Sequence, residues 1–193
     1  MIVIGDPRSF AVEFAIREAY QRLSLRALGY FVIHIRGHVY GVKDADATML
    51  ANSLDEVEHR IRKRGSHTAA FEAGDAEEIA SAYLVSEYEE GVPGEKFLEL
   101  SKEQFHEATY AADLVWAPDG DEAFNDGSHI LQFDIGDQVR LVVFKRDYQK
   151  RGGAMELREV WLRAPDFYAI LKDCRDQFLK LWQSMPKVDS VPF

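Results

Sequence analysis

The sequence predicts an α+β domain in which helices pack on an antiparallel β-sheet. Three observations support this prediction. The first third of the chain alternates apolar and polar residues with a period of two, which is typical of half-buried strands. The middle carries helix-capping signals. Residues 165–184 follow an amphipathic pattern that predicts a long C-terminal helix packed on the sheet.

The composition is that of one folded domain. The chain has 193 residues, of which 47% are apolar, and it is rich in Phe and Tyr. This is enough to bury a hydrophobic core, so we predict a single domain over residues 1–193. No apolar run approaches the roughly 18 residues of a membrane span, and no secretory signal is visible. With Cys174 as the lone cysteine, we expect a cytoplasmic protein that has no membrane partner.

Strands are predicted from near the N-terminus. The segment GDP at residues 5–7 forms a turn, and residues 10–18 then alternate as a strand. Residues 28–35 are rich in aromatic and β-branched side chains, and RGH at residues 36–38 predicts a hairpin turn after them.

The first helix is predicted to begin at Ser53, which has the spacing of a capping box with Glu56. The basic run at residues 60–64 falls in its last turn, before Gly65. Cations at a helix C-terminus complement the helix dipole, so this run has a structural explanation and does not predict nucleic-acid binding.

A second helix is predicted from Asp75, and a third from Ser101 to about residue 113. The second helix ends in the acidic run SEYEEG at residues 86–91, where the helix dipole disfavours carboxylates. Two interpretations remain: the helix ends earlier and the acids lie in a solvated loop, or they form an acidic face for a partner.

The sheet resumes in the C-terminal half as a hairpin of residues 129–135 and 139–144, followed by a strand over residues 155–162. Matching the apolar residues favours a three-residue loop. That register would place Ile135 opposite Val139 and Asp134 opposite Arg140. In the C-terminal helix, Cys174 lies on the apolar stripe and is expected to be buried.

The charge of the chain is unevenly distributed. Residues 65–139 contain 18 acidic and two basic side chains, whereas the rest of the chain has 15 acidic and 21 basic ones. An acidic, mostly helical middle section, about residues 66–128, is therefore predicted. Such a surface repels nucleic acid and anionic lipid and attracts basic protein partners.

We predict that seven acidic and two aromatic residues of this section form a partner-binding surface. Tyr88 and Phe124 would be the aromatic anchors amid the charge, as binding hot spots often are. The predicted surface consists of Glu87, Tyr88, Glu89, Glu90, Asp119, Asp121, Glu122, Phe124 and Asp126.

The sequence lacks the motifs of the common catalytic sites. There is no phosphate-binding loop, no dinucleotide fingerprint and no serine-hydrolase elbow. The loop from Asp119 to Asp126 fails the calcium-loop pattern, because Ala123 and Phe124 occupy its fifth and sixth positions. The histidines lack zinc-ligand spacing. We therefore predict a protein that is not an enzyme, with no cofactor and no metal.

The opening of the chain resembles the immunity protein 42 family. The segments that carry the resemblance are IGDP at residues 4–7, FAVEF at residues 10–14, GYFVI at residues 29–33 and the hairpin at Gly37, with a weaker match at EVWL, residues 159–162. The resemblance implies a bacterial protein encoded beside a polymorphic toxin, which it neutralises by binding. It implies no catalytic residues.

The resulting hypothesis is a non-enzymatic immunity protein whose partner is a cognate toxin domain and which does not bind nucleic acid itself. Many toxins of this kind act on nucleic acid and have basic clefts, so a nuclease would suit the acidic surface. The alternative is a regulatory domain that binds a small molecule or a metal between sheet and helices. An uncharacterised hydrolase is a third reading, and the oligomeric state is left open.

Overall fold

The computed structural model describes residues 1–88, 96–116, 121–145 and 155–188. Within these residues the chain forms two β-sheets and four α-helices, which confirms the predicted α+β class. All strand pairs are antiparallel except one short parallel pair at an end of the larger sheet.

The larger sheet has the strand order β1-β2-β3-β4, with β5 paired to β3 and β9 paired in parallel to β2. Its strands are β1 (Ile2–Gly5), β2 (Phe10–Tyr20), β3 (Ala27–Ile35), β4 (His38–Tyr40), β5 (Thr48–Met49) and β9 (Lys187–Val188). The strands predicted at residues 10–18 and 28–35 and the hairpin at Gly37 are confirmed.

The opening turn joins two strands. Gly5 adopts φ +100°, a backbone conformation that glycine tolerates best. The Asp6 carboxylate accepts a hydrogen bond from the Arg8 backbone N–H at 3.0 Å, and the Asp6 carbonyl accepts one from the Ser9 N–H at 2.8 Å. The apolar start of the chain is therefore itself a strand, β1, and the turn is a hairpin.

The smaller sheet has the order β6-β7-β8, formed by β6 (Ser128–Ile135), β7 (Gln138–Lys145) and β8 (Glu156–Arg163). Its first hairpin differs from the prediction. The loop has two residues, Gly136 and Asp137, so that Phe133 lies opposite Arg140 and Asp134 opposite Val139. Gly136 adopts φ +60°, as tight hairpin turns favour.

The predicted register was wrong because both faces of this sheet are buried. Ile130 and Val139 face one core, whereas Leu131 and Phe133 face another. Matching apolar residues identifies a register only when one face is polar. Arg140 is also buried, and its guanidinium donates to the backbone carbonyls of Glu72 and Gly74 at 2.6 and 2.8 Å.

The helices are α1 (Ala51–Arg62), α2 (Ala76–Tyr88), α3 (Lys102–Ala111) and α4 (Ala164–Ser184). The capping box predicted at Ser53 is wrong, because α1 begins two residues earlier and Leu50 is its N-cap residue without a side-chain hydrogen bond. Ser53 instead lies buried inside the helix. The start of α1 is thus set by the packing of buried residues and not by Ser53, although serine is the better N-cap residue.

The other helices follow their predictions. The Asp75 carboxylate accepts from the backbone N–H groups of Glu77 and Glu78 at the start of α2. Ser101 forms a full capping box with Gln104 at the start of α3. On α4, the apolar stripe is buried, and burial raises the pKa of the Cys174 thiol to about 12.

Two hydrophobic cores lie on opposite faces of the smaller sheet. The first is enclosed by the larger sheet, α1, α4 and the inner face of the smaller sheet, and contains Phe10, Phe14 and Phe167. The second lies between the outer face of the smaller sheet and helices α2 and α3, and contains Phe71 and Phe105. The smaller sheet is thus the central layer, and the acidic helices cover its outer face.

Arg60 joins these layers from inside. Its side chain is fully buried, and its guanidinium donates to the carbonyl of Val115 at 2.7 Å and to the side chain of Gln132 at 3.1 Å. Its Nε lies 2.7 Å from the Glu56 carboxylate, and the guanidinium stacks 4.9 Å from the centre of the Trp116 ring. We refer to these five residues as the Arg60 network.

Candidate functional site

The end of the smaller sheet where β6 begins and β7 ends brings together two acidic segments that are distant in sequence. The ring centroid of Tyr88, the last residue of α2, lies 5.9 Å from that of His129 in β6. Asp126, after the short 3-10 helix Glu122–Phe124, accepts a hydrogen bond from the Ser128 N–H at 3.2 Å. We call this surface, with Glu87, Tyr88, Asp121, Glu122 and Asp126, the acidic end.

Glu87 lies in the last turn of α2, so the helix reaches the acidic run. Its side chain is only 12% exposed, because α3 packs against it. The Tyr110 hydroxyl donates to one carboxylate oxygen at 3.0 Å, and His106 Nε2 lies 3.4 Å from the other. Glu87 therefore holds α2 and α3 together and presents little charge to solvent.

Asp121 and Glu122 begin the 3-10 helix. The Asp121 carboxylate accepts from the Ala123 N–H at 2.9 Å, a capping interaction that fixes the turn. Burial raises the pKa of Asp121, and this outweighs the lowering effect of that hydrogen bond. Glu122 is exposed, so it presents its carboxylate to a partner.

Asp126 connects three parts of the molecule. One of its carboxylate oxygens lies 2.6 Å from Lys145 Nζ at the end of β7, and it also accepts from the Gly41 N–H at 3.3 Å. Gly41 adopts φ +109°, and a Cβ there would lie 2.9 Å from the Ala123 carbonyl oxygen. The loop is thus clamped against β4, and the charge of Asp126 is largely neutralised.

Phe124, predicted to be an aromatic anchor of the partner-binding surface, does not lie at the surface. Its side chain is buried in the first core, and its ring centroid lies 6.4 Å from that of Phe31. The sequence surrounds Phe124 with turn and acidic residues, and the contact with β3 has no local signal. Tyr88, in contrast, is 37% exposed at the surface. The predicted site residues Glu89, Glu90 and Asp119 lie outside the described residues.

A second cluster of ionisable groups was not predicted from the sequence. Glu13 is buried on the outer face of the larger sheet, where it accepts hydrogen bonds from Tyr30 Oη at 2.7 Å and Lys43 Nζ at 2.8 Å. His34 Nε2 lies 2.8 Å from the same carboxylate. The signal for this Glu13 network was the spacing of Tyr30 and His34, which places both on one face of β3 beside Glu13.

The electrostatics of the Glu13 network favour the charged carboxylate. Burial alone would raise the pKa of Glu13, but the hydrogen bonds from Lys43, Tyr30 and His34 outweigh it and lower the pKa below its ordinary value. Burial and the contact with Glu13 raise the pKa of Tyr30 to about 12. The cluster is thus an ion pair with two further donors, and no nucleophile is held in it.

A groove of about 430 Å³ lies along α1, and its polar lining includes Asp55, His59 and Asp113. His59 Nε2 is 3.3 Å from the Asp113 carboxylate. Among the residues that the structure describes, no group of three His, Cys, Asp or Glu side chains is arranged to hold a metal ion. None of the described helices is both long and apolar enough to cross a membrane.

Comparison with known proteins identifies a family to which the sequence matches and a solved structure with a similar fold. A sequence model of immunity protein 42 matches residues 1–177. The crystal structure of CdiI from Burkholderia dolosa AUO158 superposes with a TM-score of 0.52 and 16% sequence identity, covering 91% of this chain and 99% of that chain. At this identity the likeness concerns the fold. No curated protein sequence matches the chain.

Proposed function

The chain belongs to the immunity protein 42 family and is a toxin-neutralising immunity protein, and we propose that it binds its cognate toxin domain through the acidic end. The toxin would present a basic surface, as proteins that bind nucleic acid do, and a nuclease is the toxin class that fits best. Binding alone would inhibit the toxin, so the proposal requires no catalytic residue.

One observation carries this proposal. Two acidic segments, one ending α2 and one around the 3-10 helix, lie at the same end of the smaller sheet although more than 30 residues separate them in the sequence. The surrounding section, residues 65–139, has 18 acidic and two basic side chains. An excess of carboxylates of this size would steer a positively charged partner and raise its association rate by roughly 10- to 1000-fold.

The residues of the acidic end would have different tasks. Glu87 and Asp126 are already paired with His106 and Lys145, so they shape the surface. Glu122 is exposed and would contact basic groups directly, together with the predicted residues Glu89, Glu90 and Asp119. Tyr88 would be the aromatic anchor at the centre, a role for which tyrosine is favoured in interfaces.

The test is a binding measurement with the toxin domain encoded by the neighbouring gene, at low and high salt. The variant Glu89→Lys/Glu90→Lys/Glu122→Lys reverses three charges of the proposed surface while it leaves the paired Glu87 and Asp126 in place. We expect its association rate to fall at least about tenfold at low salt, and the salt dependence of association to weaken.

The matched control is Asp166→Lys/Asp173→Lys/Asp176→Lys, which changes the net charge equally at exposed positions of α4. It should retain an association rate within about threefold of the wild-type rate. If both variants slow association equally, only net charge matters, and the acidic end is not the interface. Absence of any complex, combined with a melting temperature raised by a small ligand or metal, would favour the alternative of a regulatory domain.

A further inference from the structure

Strand β8 is an edge of the smaller sheet, and its backbone directions follow from one hydrogen bond. The Ala164 N–H donates to the Asp137 carbonyl at 2.8 Å, in line with the register that pairs Arg163 with Gln138. Opposed residues of antiparallel strands exchange hydrogen bonds at every second position. Even-numbered residues of β8 therefore bond to β7, and odd-numbered residues direct their N–H and C=O groups to the other side.

No described strand pairs with that other side, although His38 of β4 contacts the side chains of Glu156 and Arg158 near the start of β8. Among the described residues, β8 pairs only with β7, whereas the opposite edge of the sheet is covered: Gln132 in β6 donates its N–H to the Leu114 carbonyl. Near the start of β8, Arg158 Nη1 caps the Leu157 carbonyl at 2.9 Å. The window available for pairing is thus Glu159 to Arg163. An edge that is unpaired among the described residues, as this one is, can act as a template for another strand.

The side chains in this window complement a second copy of themselves. In an antiparallel pairing centred on Trp161, Glu159 of each copy faces Arg163 of the other, and the two Trp161 side chains face each other. On the opposite side of the sheet, Val160 faces Leu162. Opposite charges and apolar pairs across strands stabilise a sheet. Glu159 already binds Arg140 and the Trp161 indole of its own chain, so Arg163 of the second copy would join an existing ion pair.

Neighbouring registers are less favourable. A pairing centred on Glu159 would place the two carboxylates opposite each other. One centred on Val160 would place Arg163 opposite Leu157, whose carbonyl Arg158 already occupies. The side chains are accessible for the favoured register, because Trp161 is 39% exposed and the Arg163 side chain is 72% exposed.

We propose that two copies of this protein associate by antiparallel pairing of their β8 edges around Trp161, which joins the two three-stranded sheets into one six-stranded sheet. The contact is small beside the roughly 1,200–2,000 Å² of stable interfaces, so the dimer is weak and forms at micromolar concentrations. The proposal does not depend on the toxin. The pairing leaves the acidic end accessible. Lys145, which lies at that end, is opposite Glu156, the first residue of β8, and Glu156 lies outside the paired window.

Sedimentation velocity over roughly 5 to 300 µM tests the proposal. The wild-type protein should pass from monomer to dimer. Trp161→Lys places two cations across the dimer axis and should remain monomeric. Val39→Lys is the control, because Val39 is equally exposed, at 40%, on an edge strand of the other sheet, and it should dimerise as the wild type does.

A charge swap then tests the register. Arg163→Glu alone should weaken association about tenfold, because two attractive pairs become repulsive. Glu159→Arg/Arg163→Glu restores both pairs with reversed sign and should regain most of the wild-type affinity. Glu159 also contacts Arg140, so Glu159→Arg could disturb the fold. A disturbed fold would weaken association further, and it could not restore the wild-type affinity. Wild-type protein that stays monomeric at about 300 µM would overturn the proposal, and so would a swap that restores nothing in a double variant whose circular dichroism spectrum and melting temperature match those of the wild type.

Discussion

The two buried ion networks differ in where their charges can reach water. In the Arg60 network the guanidinium is fully buried between the two cores, and Glu56 is its partner. In the Glu13 network the carboxylate is buried on an outer sheet face, but its partner Lys43 is 44% exposed. The cation of one network thus lies inside the molecule, and the cation of the other lies at its surface.

This difference predicts different roles. A guanidinium that binds backbone carbonyls of the segment beside β6 fixes the position of that segment, because each lost hydrogen bond would leave a buried polar group unsatisfied. The Glu13 network is solvated on one side, so Lys43 can exchange its partner for water at little cost. The interior network is therefore a structural joint, whereas the outer network adjusts the charge of a sheet face.

The largest expected effect is that of Arg60→Met. It removes the donor of the buried Gln132 side chain and Val115 carbonyl, and it removes the cationic partner of Glu56, which is 27% exposed. We expect the free energy of unfolding at pH 7, measured by urea denaturation, to fall by about 3–5 kcal/mol. Arg62→Met is the control: its side chain is 64% exposed and pairs loosely with Glu58, so it should cost at most about 0.5 kcal/mol.

An intermediate effect is expected for Glu13→Gln. The amide keeps the shape but loses the charge that binds Lys43 and His34, and we expect a loss of about 1–3 kcal/mol at pH 7. Because the pKa of Glu13 is lowered from its ordinary value of 4.5 in the folded state, its contribution is present above that value and is lost as the pH falls through the folded pKa.

The wild-type protein should therefore lose more stability than Glu13→Gln when urea denaturation is repeated at decreasing pH below about 4.5. Glu18→Gln, on the same strand but more exposed, is the control and should keep the acid dependence of the wild type. Equal acid dependence of the wild type and Glu13→Gln would contradict the lowered pKa of Glu13.

The smallest effect is expected for Lys43→Met. Tyr30 and His34 still bind the Glu13 carboxylate, and the lost ion pair is half solvated, so stability at pH 7 should change by less than about 1 kcal/mol. The pKa of Glu13 should rise without its cation, and the acid-induced loss of stability should then begin at higher pH. A cost comparable to that of Arg60→Met would show that the two networks do not differ as described.

Much of the fold could be predicted because its signals are local. The alternation in β2, the cap at Ser101 and the apolar stripe of α4 each lie within one element, and all three are confirmed. Less of the candidate site could be predicted from the sequence. The sequence indicated a charged section, but it could not show that Phe124 is buried or that Asp126 is neutralised by Lys145.

The sequence by itself determined the α+β class, the long C-terminal helix and the resemblance to immunity proteins, because periodicity, caps and motif residues depend on neighbours along the chain. Tertiary structure decided the register of β6 and β7, the burial of Arg60 and Glu13, and the meeting of Tyr88 with the segment at Asp126. Each of these depends on which distant element covers a residue. A strand buried on both faces carries no alternation from which that could be inferred.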